Sequence, residues 1–470
     1  MPAGIDKANV LFTSLDIPAP SRSNMQRLVN KASKSTIALN EEDMAAKRNA
    51  VVEHNRKNGS DNPKHLSLSF DGRYNANRMV SSYKPGQAAS QAYGVAIENH
   101  TEHKYVVALA VQNKLCWTGA YLHNKGFEVE CPGGHAGCTA NLPYMKPHSE
   151  RQMAHDIAEQ LSREDILVRT LTTDGDAQAA LGMQDFYEKL DSTWNVVRRA
   201  DPTHLGSSQI KKARAANWSK NMFPKRRTQK SRQEAVAALA KDIRSRCTGV
   251  IEKLREMGNG NITSQIHMLP EVRRATVECY AGNCSFCPHD SLVCEGQGGL
   301  GDWWYHSPFL PTHDIQYLNM TENDRLLMET ILEIRLSEQA VISVSDGTST
   351  QKCEAFNRGV LSTIPKHVNM SKNFAGALAS KTLQLNNSLE MSVQKKVTHI
   401  TGHTLSPKAS KCLAASSKRS ISHRRYKKTS KYRTRRKLKR ANLEHKYFEA
   451  KHTGQYTEEY CKGQLDEMGL

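Results

Sequence analysis

The sequence predicts an α/β protein: a mixed sheet with helices on its faces, interrupted by a mainly α-helical insertion and followed by a basic C-terminal tail. Three observations predict it. Three apolar-rich segments of period two follow one another with short connections between residues 65 and 111. Helix-period and strand-period segments then alternate to about residue 221, and a helical block separates them from one more short helix near residue 354.

Residues 1–62 read as a helical lead-in. In IPAPSRSNMQRLVNKAS, Met25, Leu28 and Val29 have helical spacing, and EEDMAAKRNAVVEHNRK continues in good helix formers. The first strand lies in HLSLSFDGRYNA, an alternating run that ends at Asp71 with a glycine behind it, a common way for a strand to enter a turn. QAYGVAIE (91–98) and KYVVALAV (104–111) complete an antiparallel meander. After a loop rich in Cys, Gly and His, SERQMAHDIAEQLSRE (149–164) puts Met153, Ile157 and Leu161 on one helical face. DILVRTLTTDGDAQ is a strand whose end carries Asp174 and Asp176; ALGMQDFYEKL is a helix, WNVVRRAD a strand, and a basic helix runs from about His204 to Asn221.

The order β-β-β-α-β-α-β-α is the layout of the ribonuclease H-like fold, a mixed sheet with flanking helices whose first strand is central and whose fourth lies alongside it. Asp71 and Asp174 then become spatial neighbours. The core is expected to occupy 63–221 and 346–404, with residues 222–345 as the helical insertion. QKCEAFNRGVLSTIP (351–365) returns as a helix carrying Glu354. Residues 405–470 form a charge run with few apolar residues, read as disordered or ordered only on nucleic acid.

The chain has 470 residues, 66 Lys and Arg against 47 Asp and Glu, and a formal charge of +19. That balance favours a polyanionic partner such as nucleic acid; a ribosomal or merely basic surface is the competing reading. No apolar run reaches the ~18 residues of a membrane span and no segment resembles a signal peptide, so a soluble intracellular protein with no membrane partner is expected. Eleven cysteines, an odd number, point to reduced thiols with some metal ligation rather than a disulfide framework.

Two divalent ions held ~4 Å apart by carboxylates can activate water on one side of a phosphodiester and stabilise the leaving oxygen on the other. Magnesium, or manganese, suits this because it takes hard oxygen ligands. Asp71, Asp174 and Glu354 fit: two acids at strand ends and one on the returning helix. Each also has a plain explanation, as a turn former, a strand-exit residue and a solvated helix carboxylate.

In ECYAGNCSFCPHDSLVC, Cys284, Cys287, His289 and Cys294, with Cys279 nearby, are candidate zinc ligands. Cys131, His135 and Cys138, with Cys116, are a second candidate set; reduced thiols in a loop are the alternative for both. No GxxxxGK phosphate loop is present, which argues against an ATP-driven enzyme. Residues 411–450 hold fifteen Lys and Arg against two Glu. There Arg424, Arg425, Lys427, Lys428, Arg433, Arg435, Arg436 and Lys437, interleaved with Tyr426 and Tyr432, suit DNA-backbone binding or a nuclear localisation signal. Lys211, Lys212, Arg214, Arg226 and Arg227 form a second basic stretch, expected to guide DNA to the acids.

At these residues the sequence resembles the Mutator-like DDE transposases, in particular their animal branch. IPAPSRSNMQRL looks like the family's entry helix, LSFDGRYN its first-acid strand, CPGGHAGCTANL its Cys-rich loop, TTDGDA its second-acid strand and TQKCEAFNRGVLSTIPK its third-acid helix. The resemblance implies metal-dependent DNA strand cleavage and strand transfer in the nucleus, at transposon ends and on target DNA, by a homo-oligomer on DNA. Competing readings are a domesticated DNA-binding protein without activity and a ribonuclease H-like nuclease. One departure stands out. Where the family usually has Cys-x-x-His, this chain has Asp201 and His204, so either the aspartate takes a structural role or that subsite is degraded. His204 and Asp176 are candidate helpers; a helix-start histidine and a helix N-cap are their alternatives.

Overall fold

The structure is a computed structural model that describes residues 10–443 except 11, 15, 76–88, 129–130, 144–145, 224–227, 295–317, 371, 437 and 440–441. Two compact units are present: residues 1–205 with 346–414, and residues 206–345 with 415–470.

The first unit is built on a mixed five-stranded sheet of order β3-β2-β1-β4-β5. Helix α1 (Arg22–Lys57) precedes β1 (His65–Tyr74), β2 (Gln91–Glu98) and β3 (Val106–Asn113). Next come α2 (Trp117–Asn124), α3 (Glu150–Ser162), β4 (Leu167–Thr173), α4 (Gln178–Leu190), β5 (Val197–Ala200) and α5 (Pro202–Ala215). β1 pairs antiparallel with β2 and parallel with β4, so it is central with the fourth strand beside it, as expected.

The pleat of β1 sorts its side chains. Leu66, Leu68 and Phe70 join Met153, Ile157 and Leu161 of α3 in one core. Ser67, Ser69 and Asp71 alternate with them and belong to the other face, where Tyr93, Val95 and Ile97 of β2 pack with Phe356, Val360 and Leu378.

One expectation needs correction. β1 does not stop at Asp71: it pairs with β2 through Gly72–Gly94 and on to Tyr74–Ala92, so the Asp-Gly pair is not a turn. The helical lead-in is present as α1, which packs onto the first unit. Its Arg48, 4 % exposed, donates to the Val107 carbonyl of β3 at 2.8 Å and to Glu164 at 2.8 Å, and Met44 and Val51 are fully buried. The basic tail is helical from Pro407 to Lys428, although no residue of that helix is buried. The short helix α2 inside the Cys-rich loop was not anticipated.

The chain leaves the first unit inside α5, at residue 206 rather than at the composition break at 222. In the second unit, α6 (Gln229–Met257), α7 (Leu269–Tyr280), α8 (Cys287–Asp290), α9 (Glu322–Leu336) and α10 (Glu338–Ser343) surround a core that includes Leu239, Ile243, Val250, Leu254, Val272, Met328 and Leu332. Among its described residues there is no strand between 206 and 345. Back in the first unit follow α11 (Gln351–Leu361), α12 (Phe374–Asn386) and α13 (Leu389–Thr401); α14 (Pro407–Lys428) is the exposed helix.

Candidate active site

The site forms where β1, β4, β5 and α11 meet in the first unit. The parallel register of β1 and β4 ends at Ser69–Thr172. Two residues further on, that register sets Asp71 beside Asp174, the residue after β4. Gly175, at φ +118, then turns the chain into the loop that carries Asp176.

Glu354 arrives from the other end of the sequence. The segment before α11 lies across the polar face of the two strands: Thr348 Oγ1 is 2.6 Å from Thr172 Oγ1, and Ser69 Oγ donates to the Ser349 carbonyl at 3.2 Å. α11 buries Cys353, Phe356 and Val360 against the sheet, and the Phe356 ring meets the Tyr93 ring edge-on at 5.9 Å. Glu354 and Asn357, three apart, fall on the neighbouring stripe of the helix.

Asn357 joins the helix to the first acid. Its Nδ2 donates to Asp71 Oδ2 at 2.8 Å, and its Oδ1 accepts from the Tyr93 hydroxyl at 2.7 Å. Glu354 has its own partners: Oε1 lies 3.0 Å from His204 Nε2, and Oε2 accepts from Arg358 at 2.6 Å. His204 therefore meets the third acid rather than standing idle at a helix start.

Asp201 takes a structural role. It is fully buried and accepts from the backbone N–H of Thr203 at 2.5 Å and of Thr350 at 2.7 Å, and from the hydroxyls of Ser349 and Thr350 at 2.8 and 2.7 Å. One carboxylate thus caps α5 and anchors the entry to α11, fixing His204 and Glu354 relative to each other. Burial pushes its pKa up, but the bonds from Thr350, Ser349 and Thr203 outweigh burial and hold the carboxyl below its ordinary range. Asp201→Ala should cost about 3 kcal/mol or more, since several buried donors lose a charged acceptor. Asp201→Asn, which keeps one acceptor oxygen, should cost less; urea denaturation of both variants checks the order.

A fourth acid joins the cluster. Glu150, in the first turn of α3, accepts from the Tyr74 hydroxyl at 3.1 Å. A Cβ on Gly72 would sit 2.5 Å from Glu150 Oε1. The glycine after Asp71 therefore makes room for a carboxylate instead of making a turn.

The acids feel one another. Burial raises the Asp71 pKa, and Asp174, Glu150 and Glu354 raise it further against the lowering bond from Asn357, bringing it to about 7. Burial also raises Glu150, with Asp174 and Asp176 adding to the rise and the Tyr74 bond opposing it. Asp174 is exposed, while Asp71, Glu150 and Glu354 are half-buried. Asp176 accepts from the backbone N–H of Gln178 at 2.9 Å, so it supports the start of α4 while adding charge to the cluster.

The acids stand wider apart than the thiols. Among the described residues, the groups whose ligand atoms all lie within 4.8 Å of one another are two cysteine sets: Cys116, Cys131, His135 and Cys138 in the first unit, and Cys279, Cys284, Cys287 and Cys294 in the second. Cys279 therefore replaces His289 in the expected set. α7 ends at Tyr280 and delivers Cys279, whereas His289 lies two residues beyond Cys287 on α8, about 200° around the helix and exposed. None of the ten described cysteines forms a disulfide.

Of the basic residues, Lys211, Lys212 and Arg214 are exposed near the end of α5. Arg424, Arg425, Lys427 and Lys428 are exposed on the last turns of α14, and Arg433, Arg435 and Arg436 are exposed just beyond it. Arg226, Arg227 and Lys437 lie outside the described residues. No described helix is long and apolar enough to cross a membrane.

Neither sequence reasoning nor the acid pattern singled out Glu150, Asn357 or Arg358. Asn357 and Arg358 had a usable signal, at i+3 and i+4 from Glu354.

Residues 1–294 match the model of a family described as Mutator-like transposase. No curated protein and no solved structure matches the chain. The matched stretch holds Asp71, Asp174, Asp201 and His204. Glu354 lies beyond it and is tied to the site by its contact with His204 and by Asn357.

Proposed function

The chain belongs to the Mutator-like transposase family, and from that premise we propose that it is a DDE-type DNA transposase. On this reading it has a ribonuclease H-like core and cuts DNA strands at element ends and joins the freed 3′-hydroxyl to target DNA. The observation that carries the proposal is the gathering of Asp71, Asp174, Glu150 and Glu354, where burial and mutual repulsion bring the Asp71 pKa to about 7.

A cluster of hard oxygen donors that repel one another, three of them half-buried, fits divalent cations such as magnesium or manganese. Asp71, Asp174 and Glu354 would hold them. Bound there, two such ions supply activation of the attacking oxygen and stabilisation of the leaving one. The chain's own side chains hold this set in place. Asn357 orients Asp71, His204 holds one oxygen of Glu354, and Asp201 keeps the two helix starts together. The exposed basic residues of α5 and the α14 segment suit phosphate binding that neutralises DNA without reading its sequence. Nuclear localisation and assembly on DNA as a homo-oligomer accompany this reading.

A domesticated, inactive DNA-binding protein is the second reading. The departure from Cys at position 201 favoured it, but Asp201 is engaged by five donor groups around an ordered junction, which supports an intact subsite.

The test is a plasmid carrying the genomic sequences that flank the coding region, incubated with the full chain and magnesium or manganese. Nicks with 3′-hydroxyl ends at the borders of those sequences are expected. Retardation of the same DNA in a gel with no nicking under either metal would leave only the binding protein.

A further inference from the structure

We propose that the chain holds two structural zinc ions, one in each unit: a site of three thiolates and one imidazole at Cys116, Cys131, His135 and Cys138, and a site of four thiolates at Cys279, Cys284, Cys287 and Cys294. The proposal does not depend on strand cleavage, and separate observations carry the two sites.

A tetrahedral zinc with bonds of about 2.3 Å to sulfur has ligand atoms about 3.8 Å apart along each edge, and slightly less where nitrogen replaces sulfur. In the first unit, His135 Nε2 lies 3.4 Å from Cys116 Sγ and 3.2 Å from Cys131 Sγ, and the Cys131 and Cys138 sulfurs are 3.8 Å apart. The surroundings match a metal site as well. His135 Nδ1 lies 3.2 Å from the Ala136 carbonyl, which can only accept, so the proton resides on Nδ1 and the Nε2 lone pair faces the sulfurs. Backbone N–H groups of Gly119 and Gly133 donate to Cys116 Sγ at 3.2 Å and Cys138 Sγ at 3.1 Å, as thiolate ligands require. A Cβ on Gly119 would lie 2.7 Å from Cys131 Sγ, so only glycine lets the start of α2 approach this closely.

In the second unit, the sulfurs of Cys279 and Cys284 are 3.8 Å apart, again one tetrahedral edge. Cys279 and Cys287 are fully buried and Cys294 nearly so. The buried guanidinium of Arg246 lies 5.2 Å from the centre of the Tyr280 ring, with its charge near the thiols of Cys279 and Cys287. A zinc tetrathiolate carries a net double negative charge, so a buried arginine beside it is electrostatically favourable. The metal also accounts for order in a stretch, Gly282–Ser291, that contributes only Phe286 as a large apolar side chain.

The full chain, purified under reducing conditions without chelator and dialysed against excess magnesium to displace zinc from the carboxylates, should retain two zinc per chain. Cys131→Ser and Cys284→Ser should each lower the content to one. Titration of the wild-type protein with a mercurial and a zinc-sensitive dye should release two equivalents, which needs no variant to fold. Cobalt taken up in place of zinc should show tetrahedral spectra with thiolate charge-transfer bands. Wild-type protein without stoichiometric zinc overturns both sites. A content of one, unchanged by one of the two substitutions, overturns the site that bears that substitution.

Discussion

Asp71→Asn, Asp174→Asn and Glu354→Gln are each expected to slow single-turnover strand cleavage on the order of 10³-fold or more, because on the proposed two-ion reading each removes a charge that the cations would require, a loss of several kcal/mol. DNA retention in a gel should change little, since on the same reading basic residues rather than these acids would meet phosphate. The three variants should not behave alike in other respects. Asp174 is exposed and its carboxylate accepts a modest bond from its own loop, at Asp176 N, 3.3 Å away, so its loss should be felt almost purely in rate. Glu354 is held by His204 and Arg358, and the glutamine variant also releases His204. Asn357→Leu should fall between wild type and the acid variants, because it keeps every acid but frees Asp71 from the amide that donates to Oδ2. Wild-type rates from any of the three acid variants, with the protein folded, would remove that residue from the site.

The same residues show what a sequence can carry and what it cannot. The alternation of Leu66, Leu68 and Phe70 with Ser67, Ser69 and Asp71 is a local signal, and it gave the strand, its two faces and the side on which the acid sits. The order of elements then put β4 beside β1 without any knowledge of their contacts. Glu150 was not legible, because an acid in the first turn of a helix is ordinary where the helix dipole favours it; the bond from Tyr74 and the fit over Gly72 show that the carboxylate turns toward the sheet. Asp201 reads alone as a substitution for an expected cysteine; its role depends on Ser349 and Thr350, far along the chain. His289 was preferred to Cys279 on local spacing, yet the end of α7 decides which sulfur joins Cys284, Cys287 and Cys294. In the basic tail, SPKASKCLAASSKRS is rich in helix-tolerant residues and forms α14 with nothing buried, so no core holds it.

Asp71 should make the metal-free protein less stable as pH rises, and Asp71→Asn should remove that penalty. The sign follows from proton binding. Its carboxyl titrates at about 7 in the folded chain against an ordinary 3.8, so between those values the folded state holds a proton that the unfolded state has released, and stability falls as pH increases through the window. Above pH 7 the folded protein carries the full cost of an ionised Asp71 beside Asp174, Glu150 and Glu354, with a ceiling of about 4 kcal/mol. Asp71→Asn has no proton to lose, so its melting temperature in chelator should exceed wild type at pH 8 and match it more closely at pH 5. Magnesium should reverse the ranking at pH 8: bound cations stabilise only the chain that offers the ionised carboxylate, by an amount that grows with their concentration. Thermal melts of the two proteins at both pH values, with magnesium and with chelator, test the whole linkage. A wild-type protein as stable at pH 8 as the asparagine variant without metal, and unmoved by magnesium, would mean that the four carboxylates do not share one site.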